Sequence, residues 1–206
     1  MIEVELKCHL SPELLSRLQK KLQQMRFDGT THNVDIYYDT RDFALLQQAV
    51  FVRVRNNRQL DFKFNESAEK VHLQSTERTF SLFPEPASAA QMNALFAHFL
   101  PHWSAFPTVA EAVLKNDLIE LARIDNKRQV YSNDEVHVSV DHVAGLGDFL
   151  EVETRSEEGA DTGQAVATLE AFVADLHVQH IKVGYVELWL RVHNPQAYQL
   201  GQYHLE

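Results

Sequence analysis

Apolar and polar residues alternate with a period of two in several short segments of this chain, and segments with helical spacing separate them. The first alternating segment, residues 1–8, places Glu3, Glu5 and Lys7 on one face of an extended strand. Its apolar residues take the other face, because successive side chains of a strand point to opposite sides. Such a charge run is typical of a solvated edge, but it also suits a metal ion held together with a polyanion.

Other segments have the spacing of helices. The first, about residues 12–26, follows the N-cap Ser11 and ends at Asp28-Gly29. A second follows the predicted N-cap Ser88 and ends at Pro101. The remaining ones are a short helix around residues 109–115, a helix that contains Val166, Leu169, Phe172, Val173 and Leu176, and the segment 182–192, whose period is ambiguous but fits a helix; a short tail helix can follow Pro195.

The alternating segments predict about eight strands, most of them joined by short connections. Short connections favour antiparallel pairing in a curled or closed sheet. We therefore expect an α+β fold, a closed eight-stranded antiparallel β-barrel flanked by helices. The 206 residues fit one domain, 1–206, with the helical segment 182–206 packed on it. The predicted strands are residues 1–8, 33–39, 49–56, 59–65, 71–81, 118–131, 134–141 and 147–156.

Composition narrows the classes of function. A net charge of −10 argues against non-specific nucleic-acid binding, which needs a basic surface, although a basic pocket inside an acidic shell stays compatible with it. Cys8 is the single cysteine, which excludes an internal disulfide and a cysteine-based zinc site. No run of about 18 apolar residues is present, so we expect no membrane span. Charged residues stand where a signal peptide needs an apolar run, so we expect a cytoplasmic protein.

Charge is segregated by strand, with acids in the first and eighth predicted strands and bases in the third and fourth. On one open solvated sheet these like charges would repel each other without compensation. A closed barrel with a charged lumen explains the pattern better, with the apolar faces pointing outwards under the helices. A polyphosphate would neutralise the bases, and divalent cations would neutralise the carboxylates and bridge to phosphate oxygens.

The segment Glu3-x-Glu5-x-Lys7 resembles the signature of the CYTH domains, also called triphosphate tunnel metalloenzymes. The resemblance covers nearly the whole chain, and the ordered set of matches is far more specific than one ExExK segment. It implies an eight-stranded antiparallel tunnel, in agreement with the predicted strands. The set continues in order through Arg53-x-Arg55, Lys63, Glu77, Lys127-Arg128, Asp141, Gly145-Leu146-Gly147, Glu151-x-Glu153 and Lys182.

The resemblance also implies roles for single residues. Lys7 matches the signature lysine, which either contacts phosphate or positions the acids, and Glu77 matches an acid without an assigned role. Arg123 could replace or assist Arg128, but only one of the two can face the lumen of a regular strand. The implied metal ligands are Glu3, Glu5, Asp141, Glu151 and Glu153; the implied substrate-binding residues are Lys7, Arg53, Arg55, Lys63, Arg123, Arg128 and Lys182; and the implied catalytic residues are Glu5, Lys7, Lys63 and Glu153.

The function implied by this resemblance is metal-dependent hydrolysis of a triphosphate, with Mg²⁺ or Mn²⁺ as the cofactor. The segment from Lys182 to Tyr198 looks like the end of thiamine-triphosphatase-type members, which favours thiamine triphosphate or inorganic tripolyphosphate as the substrate. The stretch 140–149 also resembles class IV adenylate cyclases, which would convert ATP to cyclic AMP and pyrophosphate. A non-catalytic polyphosphate-binding module is a third alternative, against which the many carboxylates argue. We expect a small-molecule triphosphate as the partner, neither nucleic acid nor membrane, and a monomer or homodimer.

Overall fold

A computed structural model of the protein describes residues 2–64, 76–156 and 162–201, without the side chains of residues 2, 3, 155, 156 and 162. Residues 71–75 of the fifth predicted strand and the last five residues of the chain therefore lie outside the described residues. The described strands are β1 (Ile2–His9), β2 (Arg26–Asp39), β3 (Phe51–Arg55), β4 (Gln59–Phe64), β5 (Thr76–Ser81), β6 (Ile119–Ser132), β7 (His137–Val143), β8 (Gly147–Ser156) and β9 (His180–Ile181). The helices are α1 (Pro12–Leu22), α2 (Pro86–Phe99), α3 (Val109–Lys115), α4 (Thr162–Val173), α5 (Tyr185–His193) and α6 (Pro195–Leu200), and a 3₁₀ turn spans Leu46–Gln48.

The strands form one antiparallel sheet with the order β5-β4-β3-β2-β6-β7-β8-β1-β9. This confirms the α+β class and the large antiparallel sheet. The closed eight-stranded barrel is not confirmed, because the sheet has nine strands and, within the described residues, the edge strands β5 and β9 do not pair with each other. The ninth strand has two residues, which pair with Lys7 and Cys8 of β1. A segment of that length cannot show an alternating pattern, so the hydrophobic pattern does not predict this strand.

Strand β2 begins seven residues before the predicted boundary at Asn33. Its pairing with β6 shifts register between Phe27 and Gly29, and Gly29 has a φ of +128°. That conformation is open to glycine and strained for other residues, so a bulge forms there and the strand continues through it. Asp28-Gly29, which the sequence pattern predicts as the end of the first helix, therefore lies inside a strand.

One face of the sheet, here called the apolar face, is defined by Val4 and Phe62. Val4 is fully buried in a cluster with Leu18 of α1 and Leu169 of α4. On the other half of the sheet, Phe62 is packed in the same way against Phe96 of α2. The partly buried Leu6 also packs against the first cluster, which confirms that the apolar residues of β1 point towards helices.

The helix ends follow local chemistry. The Ser11 hydroxyl accepts a hydrogen bond from the Leu14 N–H at 3.1 Å, as the sequence predicts for an N-cap. The prediction for α2 was wrong at its start, because Pro86 opens the helix and Glu85, rather than Ser88, is the N-cap. Proline's fixed φ suits the first helical turn, where its missing N–H has no partner to lose. None of the described helices has the length and apolar character needed to cross a membrane.

The opposite face of the sheet, here called the charged face, is defined by Lys7 and Arg128. Part of this face is apolar, and there Phe149 and Ile124 pack with Val186 of α5 and other residues of α5 and α6. The C-terminal helices therefore lie on the same side of the sheet as the charged residues. The first turn of α5 consequently borders the charged side chains.

Candidate functional site

Lys7 lies between two carboxylates on the charged face. Its Nζ is 2.9 Å from Glu5 Oε1 and 3.0 Å from Glu151 Oε1. Strand pairing explains the contact, because Lys7 is directly opposite Glu151 in the β1–β8 ladder, and Glu5 is two residues along the same face. The side chains of Lys7 and Glu151 are 9% and 7% exposed, whereas that of Glu5 is 42% exposed. The first pair is thus a buried ion pair, and Glu5 is its solvent-facing neighbour.

Arg128 extends this cluster from β6. Its Nε and Nη2 donate to the two oxygens of Asp141 at 2.7 and 2.6 Å, and Nη2 also donates to Glu151. The Tyr185 hydroxyl donates to Asp141 Oδ2 at 2.6 Å, and the Tyr185 ring lies 4.7 Å from Lys7 Nζ. Tyr185 is the first residue of α5, so it ties the C-terminal helix to the charged face.

Mutual neutralisation sets the ionisation of this cluster. Burial disfavours the Lys7 ammonium, but the carboxylates of Glu5 and Glu151 outweigh it and raise the pKa of Lys7. Burial likewise disfavours the Glu151 carboxylate, yet the charges of Lys7 and Arg128 hold the pKa of Glu151 below its usual range. Burial and the nearby acids raise the pKa of Tyr185, which keeps its hydroxyl protonated as a donor.

A second cluster surrounds the two arginines of β3. Arg55 Nε and Nη2 each donate to Asp35 at 2.8 Å. Arg53 Nε donates to Asp61 Oδ2 at 3.2 Å, and its Nη1 lies 3.3 Å from Asp35 Oδ2 and 3.4 Å from the Tyr37 hydroxyl. Burial alone would lower the pKa of Arg53, but Tyr37 and the two aspartates outweigh burial and raise that pKa above its ordinary value. The guanidinium group therefore stays charged.

The three arginines share one pattern of use. Each is anchored to an aspartate through its Nε, and within the described residues one terminal nitrogen of each donates to no protein acceptor: Arg53 Nη2, Arg55 Nη1 and Arg128 Nη1. Their side chains are 19%, 34% and 24% exposed. The guanidinium groups therefore keep hydrogen-bonding capacity that a ligand could use.

The structure settles the choice between Arg123 and Arg128. Arg123 lies five residues from Arg128 on β6, which places it on the opposite side of the sheet. There it donates from Nε and Nη2 to the two carboxylate oxygens of Glu120, at 3.0 and 2.7 Å. Arg123 therefore lies off the charged face, which argues against its predicted role in substrate binding, and Arg128 lies on the charged face.

The remaining predicted bases lie further from the two clusters. Lys63 of β4 is on the charged face, 3.5 Å from Glu77 of β5, and both side chains are about half exposed. Lys182 is exposed in the connection between β9 and α5. Lys127 is exposed and, being adjacent to Arg128 in the strand, faces the other way. Lys63 and Lys182 keep their predicted roles as hypotheses.

The predicted metal ligands fall into two groups. Glu5 is directly opposite Glu153 in the β1–β8 ladder, so these two carboxylates share the charged face, and Glu3 is two residues earlier on β1 with its side chain outside the described residues. In the second group, both Asp141 oxygens are engaged by Arg128 and Tyr185, and the two Glu151 oxygens by Lys7 and Arg128. Among the described side chains, no three His, Cys, Asp or Glu are arranged as a ready-made metal cage.

Sequence reasoning did not assign several polar residues that the structure brings to this face. Asp35 and Asp61 anchor arginines, and Tyr185 anchors Asp141. Glu187 is buried in the first turn of α5, and burial raises the pKa of its carboxyl group. Asp61 had a signal, since it alternates with Lys63 on a predicted strand, but the other three required knowledge of strand register and helix packing.

One family model matches most of the chain. Residues 1–183 match the family model of the CYTH domain. The fold is similar to that of the PH1819 protein from Pyrococcus horikoshii OT3, with a TM-score of 0.64 and 22% identity over 92% of this chain and 98% of that one. A search of curated proteins found no match.

Two further solved structures share the fold. A putative adenylate cyclase from Bacillus halodurans matches with a TM-score of 0.56 and 21% identity over 94% of this chain and 98% of that one. A putative adenylyl cyclase from Hippeastrum, described as having a dominant triphosphatase activity, matches with a TM-score of 0.58 and 17% identity over 98% of this chain and 97% of that one. The family model covers most of the chain, and the fold is shared along its length. This chain belongs to the CYTH domain family.

Proposed function

We propose that the protein hydrolyses a triphosphate, inorganic tripolyphosphate or thiamine triphosphate, in a metal-dependent reaction on the charged face. One observation carries the proposal: Arg53, Arg55 and Arg128 lie on the same face of the sheet, each anchored by an aspartate and each with a terminal nitrogen that no described residue accepts from. Guanidinium groups suit phosphate because they present several donors in a fixed plane. Three such groups match the extended charge of a triphosphate better than that of a single phosphate.

The carboxylates of the same face fit a divalent cation by their chemistry. Hard cations such as Mg²⁺ prefer carboxylate and phosphate oxygens. Glu5 and Glu153 lie directly opposite each other on β1 and β8 and share the charged face, so they are the residues that would hold Mg²⁺ or Mn²⁺, with Glu3 two residues before Glu5 on β1. The bound metal would neutralise phosphate oxygens and activate or position the attacking water.

The residues of the chain itself would bind and orient the substrate. The three arginines would hold the phosphate oxygens in place and stabilise the charge that develops during transfer. Lys7 is held by Glu5 and Glu151, so it would keep those carboxylates oriented while its positive charge stays next to the phosphate chain. Because Lys7 and Glu151 are buried, their charges act in a medium that screens them less than bulk water does.

A second candidate is a cyclase of the class IV type, which would convert ATP to cyclic AMP and pyrophosphate. It is favoured by the similarity of the fold to that of the putative adenylate cyclase from Bacillus halodurans. The Hippeastrum relative, whose dominant activity is described as triphosphatase, favours hydrolysis. A non-catalytic polyphosphate-binding module is the third candidate, and the opposed pair Glu5 and Glu153 argues against it, since binding a polyanion alone needs no such carboxylates.

One assay distinguishes the three candidates. Purified protein with Mg²⁺ or Mn²⁺ is offered tripolyphosphate, thiamine triphosphate and ATP, and the products are identified. Release of orthophosphate supports hydrolysis, and pyrophosphate with cyclic AMP supports the cyclase. Tight binding without turnover supports the binding module.

Variants connect the activity to the charged face. We expect Glu5→Gln and Glu153→Gln to lose metal-dependent turnover, and persistence of turnover in both would contradict the metal assignment. Arg53→Ala should weaken triphosphate binding by about 2 kcal/mol, roughly thirtyfold, because it truncates a largely buried charge. Arg123→Gln is the control, because it removes an arginine from the opposite face of the same sheet. It should leave turnover unchanged.

A further inference from the structure

Two aspartates that carry no assigned role hold the arginines of β3. Asp35 accepts two hydrogen bonds from Arg55 and lies 3.3 Å from Arg53, so one carboxylate contacts both guanidinium groups. Asp61 accepts from Arg53 through Oδ2, while its Oδ1 accepts from the Gln59 amide and the Thr79 hydroxyl, both at 2.8 Å. Both carboxylates are more than nine-tenths buried.

The two oxygens of Asp61 have different hydrogen-bond partners. Gln59 and Thr79 come from the aspartate's own strand and from the neighbouring strand β5, and they occupy one carboxylate oxygen. The other oxygen is left for the Nε of Arg53. The Asp61 carboxylate is therefore held by hydrogen bonds that do not involve the arginine. Arg55 is held even more firmly, because its bidentate pairing with Asp35 defines the plane of its guanidinium group.

We propose that Asp35 and Asp61 are positioning residues for triphosphate binding: they orient Arg55 and Arg53 so that one terminal nitrogen of each is presented to the ligand. The proposal rests on the proposed function, since it concerns the same triphosphate site. The aspartates act only through the arginines and do not touch the ligand. The arrangement of Arg128 supports this inference, because Asp141 binds the same Nε and Nη2 atoms there and leaves Nη1 without a described acceptor.

If the aspartates orient the arginines before the ligand binds, the affinity for the ligand should be higher than with unoriented arginines. Ordering a long side chain on association costs about 0.5–1.5 kcal/mol, which corresponds to a roughly twofold to tenfold change in Kd. An arginine already ordered by an aspartate avoids that loss. Against this, a carboxylate near a polyanion repels it, so a variant that removes the charge would mix the two effects. Replacing aspartate by glutamate keeps the charge and moves the carboxylate by one methylene.

The test is a double-mutant cycle on tripolyphosphate affinity, measured by calorimetry with a metal chelator present so that no turnover occurs. We expect Asp61→Glu to raise Kd about threefold to tenfold in the wild-type background. In the Arg53→Gln background the same substitution should have almost no effect, because the residue through which Asp61 acts is gone. Asp125→Glu is the control: Asp125 pairs with His32 on the other face of the sheet, and Kd should not change.

The outcomes distinguish a positioning role of Asp61 from a merely structural one. An unchanged Kd for Asp61→Glu, or an equal rise in Kd in both backgrounds, would show that Asp61 is merely structural and would overturn the proposal. If Asp61→Glu does not fold, the cycle is run with Asp35→Glu and Arg55→Gln, where the effect should shrink to the part transmitted through Arg53. Wild-type protein that fails to bind tripolyphosphate both with the chelator and with added Mg²⁺ or Mn²⁺ would contradict the proposed function, and the positioning role with it. Binding with no loss in either aspartate variant would contradict only the positioning role.

Discussion

Replacing Lys7 by Met should destabilise the protein much more than replacing a less buried lysine in a similar setting. Met has nearly the length of Lys but no charge, so the change removes the ammonium group from between Glu5 and Glu151. Glu151 would keep Arg128 as its cationic neighbour, which limits the loss. The partly exposed Glu5 would be rehydrated at little cost.

The two ion pairs of Lys7 differ in value because they differ in burial. Breaking a buried pair by removing one partner costs about 3–5 kcal/mol, whereas an exposed pair contributes about 0–1 kcal/mol. We take the lower end for Glu151, since Arg128 remains, and expect Lys7→Met to lower the free energy of unfolding by about 3 kcal/mol. For a chain of 206 residues this corresponds to a fall in Tm of roughly 6–12 °C.

Lys21→Met is the matched control. Lys21 also contacts one carboxylate, Asp175 at 2.7 Å, and one aromatic ring, Phe172 at 4.9 Å, but its side chain is 26% exposed and that of Asp175 is 66% exposed. We expect it to lose about 1 kcal/mol or less. Urea unfolding at pH 7 measures both variants. Equal losses, or a smaller loss for Lys7→Met, would refute the argument that burial makes the removal of Lys7 from its pair with Glu151 more costly.

The dependence on pH checks the same cluster. The pKa of Glu151 is lowered in the folded protein, and a carboxyl group of this kind contributes stability above its unfolded pKa and loses it as pH falls through the folded one. The difference in stability between wild type and Lys7→Met should therefore be largest near neutral pH. It should shrink in acid, where the wild type loses the contribution of the Glu151 carboxylate. A difference that grows towards acid would have the wrong sign.

Three further substitutions have defined outcomes. Arg128→Gln should weaken tripolyphosphate binding at least tenfold, whereas Arg123→Gln should leave Kd unchanged in the same titration, and equal effects would contradict the assignment of faces. Gly184→Ala should lower Tm slightly, because a Cβ there would lie 2.7 Å from Glu187 Oε2 and the end of that buried side chain would have to shift; a higher Tm would contradict this expectation. Burial raises the pKa of Glu187, so the ionised carboxylate costs stability as pH rises; the Tm of Glu187→Gln relative to wild type should increase from pH 4 to pH 8, and a decrease would reverse the sign.

Strand alternation made the orientation of β1 predictable. The period-two pattern places Val4 and Leu6 on the opposite face from Lys7. In the structure Val4 is buried and Leu6 partly buried among the helices, while Lys7 lies on the charged face. The same rule showed that Arg123 and Arg128 could not share a face, although it could not say which one belonged to the site. That choice depended on the register of β6 against β7, which places Asp141 opposite Arg128.

Other features depend on contacts that a sequence pattern does not contain. Tyr185 is far from Asp141 in sequence, and only the packing of α5 on the charged face brings the two together. Asp35 precedes two tyrosines in a strand whose alternation is weak, and its role appears only when β2 pairs with β3 opposite Arg55. Charge segregation favoured a closed sheet, but the described edge strands β5 and β9 do not pair. The distribution of charge indicates which residues share a face of the sheet, and it does not determine whether the edge strands meet.

The central claim is that the carboxylates of β1 and β8 and the arginines of β3 and β6 form one metal and triphosphate site. A crystal structure with tripolyphosphate and Mn²⁺, with anomalous scattering used to locate the metal, tests it most directly. We expect phosphate oxygens within hydrogen-bonding distance of Arg53, Arg55 and Arg128 and a manganese peak at Glu5 and Glu153. A ligand bound away from the charged face, or a metal peak at other carboxylates, would contradict the account.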